Sequence, residues 1–395
     1  MLPRLIPPSF SRRTAWNIAP NRIAAALEQR QRSGQPILDL TETNPTKVGL
    51  PIPESEILET LADARALCYE PAPLGDPAAR LAISEYHRGA VPPEHIVLTA
   101  STSEAYALLF KLLADPGDRV LVPVPSYPLF EYLAGLESVE TVPYACIWAE
   151  DGWIVDFSTL ETRLDERTRV LVVVSPNNPT GAMLRCAEAS RLLELCRERR
   201  LALIADEVFA DYIFTDASSC AGSLAGRDES LVFVLSGLSK TCLLPQVKTA
   251  WIAASGPADM LGEALARLEV IADTYLSVNT AAQLALPRLL ALRNVIRLPL
   301  MARLTANRAM LERTLRGSAA TALLPDGGWS AVIRVPRHPI EEERVLRLLS
   351  RHGLRVHPGF FFDFPDEAYL VVSLLGLEEA FTRGAAILAA DADSP

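Results

Sequence analysis

Closely spaced pairs of cysteine or histidine are absent from this sequence of 395 residues. The five histidines form no H-x-x-x-H pair, so a metal site has no support from the sequence. The six cysteines are never closer than ten residues, which leaves no C-x-x-C pair for zinc or redox chemistry: Cys68, Cys146, Cys186, Cys196, Cys220 and Cys242. We expect them to be reduced thiols in a cytoplasmic protein.

Long apolar runs and an excess of positive charge are also missing. No stretch approaches the roughly 18 uncharged apolar residues that a membrane-spanning helix needs. Residues 1–9 lack the apolar core and the cleavage pattern of a signal peptide, so we expect no secretion leader. Lys and Arg number 38 against 48 Asp and Glu, a formal charge of −10, which argues against a nucleic-acid-binding surface.

The composition that remains is that of a folded protein of about two to three domains. Apolar residues make up 49% of the chain and charged residues 22%, so extended disorder is not expected. The 30 prolines are numerous. However, the glycine periodicity of collagen and the low hydrophobicity of disordered Pro-rich chains are both lacking.

Four short apolar runs in the middle of the chain are typical of buried strands: 119–124, 169–175, 201–206 and 231–236. Near-continuous apolar runs belong to strands that are covered on both faces, as in a parallel or mixed α/β sheet. Between two of them, residues 188–200 have an apolar stripe opposite a charged face, which predicts a helix. The alternation over residues 95–255 therefore predicts one large α/β domain.

The last third of the chain has a different pattern. Residues 257–273 and 280–317 are rich in Ala, Leu and Arg and predict helices, broken near Pro287 and Pro299. A strand–helix–strand–helix pattern follows over 330–335, 341–349, 369–373 and 378–388. We place a large domain at residues 46–290, and a smaller α/β domain with an N-terminal arm at 1–45 and 291–395.

Three common enzyme signatures are lacking. There is no Gly-Lys dipeptide for a Walker A loop, no G-x-G for a dinucleotide fingerprint and no G-x-S-x-G nucleophile elbow. Polar motifs instead follow the predicted strands. Ser175–Gly181 reads S-P-N-N-P-T-G, Asp206 ends the next strand, Ser236–Thr241 reads S-G-L-S-K-T, and Thr99–Ala105 opens a helix. Open α/β sheets bind ligands at the carboxyl ends of their strands, so we expect a ligand site there.

The motifs N-N-P-T-G, D-E-V-F and S-G-L-S-K, in that order, resemble the fold-type I pyridoxal-5′-phosphate (PLP) enzymes, specifically the class I/II aminotransferases. The resemblance covers roughly residues 15–390. It implies an α/β fold with a large domain, whose mixed, mostly parallel seven-stranded sheet is sandwiched by helices, plus a smaller α/β domain. It also implies a homodimer with the active site at the interface, and an amino donor and a keto acceptor as small-molecule partners.

The resemblance assigns the central roles to four residues. Lys240 forms the Schiff base with PLP and then acts as the proton shuttle. Asp206 pairs with the pyridine nitrogen and favours its protonated form, which makes the ring a better electron sink. Asn178 hydrogen-bonds the phenolic oxygen, and Tyr127 stacks on the ring.

The phosphate is assigned to hydroxyl, backbone and cationic groups: Ser101, Thr102, Ser103, Ser239 and Lys248. The first three stand at a predicted helix start, which suits a dianion and also serves plain N-capping. Tyr69 resembles the tyrosine that reaches the phosphate of the neighbouring subunit.

Two cofactor positions depart from the family pattern. Lys248 stands where the family usually has Arg, so it keeps the charge but loses the bidentate fork. Phe209 stands where a Tyr is common and cannot donate a hydrogen bond to the phenolic oxygen, unless Tyr212 substitutes for it.

The substrate side departs further. Family members usually hold the substrate α-carboxylate with an Arg in the late strand, and here Val371 stands near that place, with no Arg or Lys over 356–382. Either another cation takes over, such as Arg12, Arg13 or Arg355, or the substrate is not a standard α-amino acid. We also assign Glu42 to substrate binding, where its carboxylate can bind a cationic group of the substrate. The alternative is that Glu42 is a solvated loop residue.

Phe362 matches the last position of the family's P-G-x-x-F segment, which lines the site, although a core aromatic would satisfy the same pattern. We expect amino-group transfer on an amino acid or related amine by ping-pong chemistry. Another PLP reaction (elimination, decarboxylation or cyclisation) is the alternative. A PLP-binding protein without catalysis is disfavoured, because no DNA-binding helix pair or basic segment precedes the domain.

Overall fold

The computed structural model describes residues 10–150, 152–214, 219–276, 278–366 and 368–394. The expectation about a secretion leader concerns residues 1–9 and lies outside the described part. Of the helices in this part, none combines the length and the apolar character needed to cross a membrane. All six cysteines are described, and each is a free thiol.

The strands, in chain order, are β1 Leu38–Asp39, β2 Ile96–Thr99, β3 Arg119–Val124, β4 Glu140–Ala149, β5 Gly152–Val155, β6 Thr168–Val174, β7 Ala202–Asp206, β8 Val232–Gly237, β9 Ala250–Ser255, β10 Thr321–Leu323, β11 Ser330–Arg334, β12 Leu354–Arg355, β13 His357–Pro358 and β14 Tyr369–Ser373. The α-helices are α1 Arg22–Arg32, α2 Glu54–Leu61, α3 Pro77–Tyr86, α4 Thr102–Leu113, α5 Phe130–Leu136, α6 Phe157–Arg163, α7 Cys186–Arg199, α8 Leu238–Thr241, α9 Ala258–Tyr275, α10 Thr280–Leu315, α11 Glu341–Arg347 and α12 Glu378–Ala392.

The large sheet confirms the predicted α/β fold class, with one strand more than expected. Within the described residues its order is β2-β9-β8-β7-β6-β3-β4-β5. Strands β8, β7, β6, β3 and β4 are parallel neighbours, whereas β9 pairs antiparallel with β8 and with β2. The eighth strand, β5, forms a hairpin with the end of the ten-residue β4. The strand β5 is short, and its buried and exposed residues alternate, with Trp153 buried and Ile154 exposed. It therefore has no continuous apolar run that would predict it from the sequence.

Helices cover both faces of the large sheet, as the four apolar runs indicate. Along β6, Val170 and Val172 pack with α4 and α9, while Leu171 and Val173 belong to the core on the opposite face. Each of these side chains is buried, and burying one such side chain contributes about 1.5–3 kcal/mol. The sheet is thereby a fixed platform for whatever follows its strand ends.

A small antiparallel sheet, in the order β10-β11-β14-β13, forms the second layer that matters for the site. The long helix α10 contacts α3 beside the large sheet and also α12 beside the small one. The expected breaks near Pro287 and Pro299 are wrong, because α10 continues through both prolines. Each proline removes one backbone hydrogen bond, and burial of the apolar face of α10 offsets that loss. The proposed domain boundary at residue 290 falls inside this helix and stays a prediction.

Candidate active site

A cavity of about 380 Å³ lies where β6, β7 and β8 end and the small sheet approaches them. The last residues of these strands, Val174, Asp206 and Gly237, all line it. Parallel strands present their carboxyl ends at one edge of the sheet, which is how motifs distant in sequence meet here.

The cavity has two facing walls. The large-sheet wall comprises Ser101, Tyr106, Asn178, Asp206 and Lys240, and the small-sheet wall comprises Trp329, Ser330, His357, Phe362 and Val371.

Nine of the sequence-predicted site residues line this single cavity: Ser101, Thr102, Ser103, Tyr127, Asn178, Asp206, Ser239, Lys240 and Phe362. Three do not line it, and these are Tyr69, Lys248 and Glu42. The structure thus places most of the predicted set together, while the role of each residue stays a prediction.

Asp206 is a buried carboxylate held by two donors. The hydroxyl of Tyr106 donates to its Oδ2 at 3.0 Å, and the backbone N–H of Val208 donates to its Oδ1 at 3.2 Å. Burial nevertheless raises the pKa of Asp206 to about 6, although both hydrogen bonds and the charge of Lys240 act to lower it. Among the described residues, no salt bridge to this carboxylate is found, so a positively charged ligand group would stabilise its ionised form.

Lys240 lies on α8, one turn after β8 ends, and its amine faces aromatic rings. Its Nζ is 4.4 Å from the ring centroid of Trp329 and 5.4 Å from that of Phe209. Burial lowers the pKa of Lys240 to about 8, so the uncharged fraction of the amine near neutral pH, about a tenth, is far larger than for an ordinary lysine. An uncharged amine is the nucleophilic form, and the amine therefore suits attack on a carbonyl carbon.

The backbone that carries Lys240 is also fixed. The hydroxyl of the buried Tyr212 donates to the Lys240 carbonyl oxygen at 2.7 Å. That hydroxyl is already used in this hydrogen bond, and Tyr212 does not line the cavity. Tyr212 therefore does not replace the hydrogen-bond donor that a tyrosine at position 209 would provide. Gly237 is required by close packing, since a Cβ there would lie 2.8 Å from the Cβ of Ala250.

The start of α4 forms the polar end of the cavity. Ser101 caps the helix by accepting from the backbone N–H of Glu104 at 3.1 Å, and Thr102 and Ser103 begin its first turn. The first N–H groups of a helix lack partners within the helix, and together with the helix dipole they favour an anion. Ser239 adds a hydroxyl to the lining.

The turn after β6 connects the two walls. The side-chain amide of Asn177 donates to the carbonyl of Pro125 at 3.1 Å, and the neighbouring Asn178 approaches Ser330 with 3.5 Å between Oδ1 and Oγ. Gly181 closes the turn at φ +69, where a Cβ would lie 2.2 Å from Pro325. This turn therefore admits only glycine at its end and brings the small sheet close to Asn178.

The three predicted residues outside the cavity have other surroundings. Tyr69 is 73% exposed and Lys248 is exposed. Glu42 points back to its own loop, where its Oε1 accepts from the backbone N–H of Asn44 at 2.8 Å. The loop is held to the small sheet, since Ser373 Oγ donates to the Glu42 carbonyl at 2.6 Å.

The cations suggested as replacements for an arginine at position 371 are engaged elsewhere or remote. Arg355 pairs with Asp39 at 2.8 Å, Arg13 donates to the carbonyl of Leu136 at 2.9 Å, and Arg12 is exposed. Among the described residues that line the cavity, Lys240 is the only lysine or arginine.

Sequence reasoning gave no role to Tyr106, Trp329 or His357, although all three line the cavity. Tyr106 follows Thr102 by four positions, so helical spacing places both on one face of α4. This spacing alone could have predicted that Tyr106 lies near the site. His357 belongs to the small sheet and Trp329 directly precedes its strand β11, and their approach to Phe362 or Lys240 depends on tertiary contacts that no local pattern indicates.

Comparison with known proteins gives consistent matches. A family model described as aminotransferase class I and II matches residues 42–376. Alanine aminotransferase of Mycobacterium tuberculosis is 30% identical over 270 residues, covering 67% of this chain and 61% of that protein. Glutamate-pyruvate aminotransferase AlaA of Escherichia coli is 28% identical, covering 65% and 64%. The chain thus spans less than two-thirds of the length of these curated relatives.

The solved structure of alanine aminotransferase from Pyrococcus furiosus matches with a TM-score of 0.86 at 25% identity, covering 97% of this chain and 98% of that one. The fold match extends over nearly the whole chain, and the family model covers every residue that lines the cavity except Thr41. The chain belongs to the aminotransferase class I and II family, whose enzymes depend on pyridoxal 5′-phosphate.

Proposed function

We propose that this protein is a PLP-dependent aminotransferase that moves an amino group from an amino acid or related amine to a keto acceptor. The observation that carries the proposal is the convergence of Lys240, Asp206 and the start of α4 in one cavity. The named relatives are alanine and glutamate-pyruvate aminotransferases, which agrees with amino acids as donors.

The donor set of the cavity fits PLP group by group. The start of α4 and Ser239 would hold the phosphate, and Asn178 would donate to the phenolic oxygen. Asp206, whose pKa is raised by burial, would receive the protonated pyridine nitrogen. Tyr127 would cover one ring face. Bound in this way, the cofactor supplies an electron sink for the substrate's Cα.

The chain's own contribution is attachment, proton transfer and exclusion of water. The amine of Lys240 is uncharged often enough to attack a carbonyl and, once displaced by substrate, to accept or return a proton at its Nζ. Trp329 and Phe209 lie beside that amine and keep water away from it. Asp206 stays oriented because Tyr106 and Val208 hold both of its oxygens.

A homodimer in the cytoplasm completes the proposal. Leu67 is 91% exposed and Tyr69 is 73% exposed, and a second subunit would cover this apolar surface. Tyr69 would then reach the partner's phosphate, as the resemblance implies. Six free thiols agree with a reducing compartment.

Absorbance of the PLP-loaded protein tests the proposal. We expect a visible band from the Schiff base with Lys240, absent in Lys240→Ala and retained in Lys111→Ala, a lysine on α4 that does not line the cavity. A panel of amino donors should then convert the cofactor to its pyridoxamine form. A band that persists in Lys240→Ala overturns the assignment of the lysine. Donors that turn over while the original band returns identify elimination or decarboxylation instead.

A further inference from the structure

Two residues of the small-sheet wall face the cavity side by side. His357 on β13 and Val371 on β14 are direct partners in an antiparallel pair. Directly opposite residues of such a pair project their side chains to the same face, with Cβ atoms about 4.5–5.5 Å apart. Both line the cavity. A group carried by His357 therefore reaches the same region of the cavity that a longer side chain at position 371 would reach.

This region lacks a permanent positive charge. Among the described lining residues Lys240 is the sole lysine or arginine, and it is committed to attachment and proton transfer. Arg355, two residues before His357, is paired with Asp39 and does not line the cavity. A carboxylate that enters with an α-amino acid must still be given hydrogen bonds, because an unpaired buried carboxylate costs far more free energy than an unpaired neutral polar group.

His357 has an uncommitted polar ring in a fixed orientation. Its imidazole makes no hydrogen bond to any residue in the described part of the chain. The ring packs against Phe361 and Phe362, with centroids 5.9 and 5.8 Å away. Burial, together with the charge of Arg355, lowers the pKa of His357 to about 4, so the imidazole is neutral and offers one N–H donor.

We propose that His357 receives the carboxylate of an α-amino-acid substrate through a ring N–H, in the place left by the apolar Val371. The inference rests on the proposed function, since it concerns a substrate attached through Lys240. It makes His357 a residue that determines substrate specificity. A substrate without a carboxylate is the competing possibility, and the experiment below separates the two.

A matched pair of ligands isolates the carboxylate. 2-Methylalanine carries an amine and a carboxylate, and in tert-butylamine a methyl group replaces the carboxylate. Neither has a hydrogen on Cα, so neither completes amino transfer, and equilibrium binding to the PLP-loaded protein is read from the absorbance change when Lys240 is displaced. We expect the wild type to prefer 2-methylalanine by about 10- to 100-fold, the worth of a hydrogen bond to a charged group.

Two substitutions then locate that preference. His357→Phe should abolish it while leaving the affinity for tert-butylamine within about twofold, and His357→Gln, which keeps a donor, should retain part of it. His352→Gln changes an exposed histidine outside the cavity and should behave as the wild type. The unchanged tert-butylamine affinity also verifies that each variant is folded and loaded.

Two results overturn the inference. A wild type that binds both ligands equally shows that no carboxylate is recognised, and a His357→Phe variant that keeps the full preference shows that another group recognises it. Failure of the proposed function looks different, because the absorbance band that depends on Lys240 would then be missing before either ligand is added.

Discussion

The two walls of the cavity differ in whether their polar side chains have hydrogen-bond partners within the chain. On the large-sheet wall, Asp206 and Ser101 each have a hydrogen-bond partner from the chain, and each stands at a strand end or a helix start. On the small-sheet wall, Trp329, Phe362 and Val371 are apolar or aromatic, Ser330 donates to Asn178 across the cavity, and His357 is a neutral ring without a partner among the described residues. The polar groups of the first wall are thus held by the chain, whereas the second wall keeps one polar ring, that of His357, without such a partner.

Under the proposed function, this difference separates the binding of the cofactor from the recognition of the substrate. The groups proposed to hold the cofactor lie at the ends of β6, β7 and β8 and at the start of α4, which the packed sheet positions rigidly. The substrate side depends on single side chains of a four-stranded antiparallel sheet. Exchange of one such side chain alters recognition without disturbing the cofactor side.

The largest expected effect comes from Asp206→Asn in the cofactor-free protein. The pKa of Asp206 is raised from 3.8 to about 6 by burial, so its ionisation destabilises the folded state above pH 6, and this penalty disappears as the pH falls below 4. We expect the variant to be more stable than the wild type by about 3 kcal/mol at pH 8 and by roughly half of that at pH 5. Denaturant unfolding at the two pH values measures the difference.

The same substitution should weaken cofactor binding, which distinguishes a functional carboxylate from a merely buried one. Without the charge, we expect the affinity for PLP to fall by about 10- to 100-fold. Glu207→Gln is the matched control, because burial also raises the pKa of Glu207, to about 7. However, Glu207 does not line the cavity, and its carboxylate accepts from the backbone N–H of Leu224. Equal loss of PLP affinity in both variants would contradict a specific role for Asp206.

Much of the large-sheet wall could be predicted because its signals are local. The strands β3, β6, β7 and β8 fall on the four apolar runs, and Asp206 and Lys240 follow directly from the motifs at their ends. The small-sheet wall could not be predicted in this way. His357 acquires its position only by pairing with Val371, and Trp329 only by packing against Lys240, and both contacts depend on how the two sheets meet.

A smaller effect is expected from Tyr106→Phe, which removes a hydroxyl while keeping the ring. The hydrogen bond from Tyr106 lowers the pKa of Asp206, so its loss raises that pKa further and penalises the ionised carboxylate. We expect a stability loss of about 1–2 kcal/mol at pH 8 that shrinks as the pH falls through the raised pKa of the variant and is largely gone below pH 6, because a protonated Asp206 no longer needs the donor. Denaturant unfolding across this pH range provides the measurement.

Tyr144→Phe is the matched control for that prediction. Tyr144 is equally buried, and its hydroxyl donates to the carbonyl of Val172 at 2.8 Å, away from any carboxylate of the cavity. Its loss should cost a similar free energy of unfolding that does not change between pH 5 and pH 8. If both variants show the same pH dependence, the coupling of Tyr106 to Asp206 is refuted.

The smallest effect on stability and binding is expected for a substitution of Glu42, which lies on the loop that Ser373 holds to the small sheet. Since its carboxylate accepts from the backbone N–H of Asn44, Glu42→Gln keeps an acceptor and should change the free energy of unfolding by less than about 0.5 kcal/mol. The affinity of the PLP-loaded protein for cationic amino acids, relative to neutral ones, should change by less than about twofold. A tenfold loss confined to cationic amino acids would instead assign Glu42 to the substrate, and would mean that its carboxylate leaves the loop when such a ligand binds. A charge from the loop beside the small-sheet wall would then recognise the substrate, and the contrast between the two walls would hold only for the cavity without substrate.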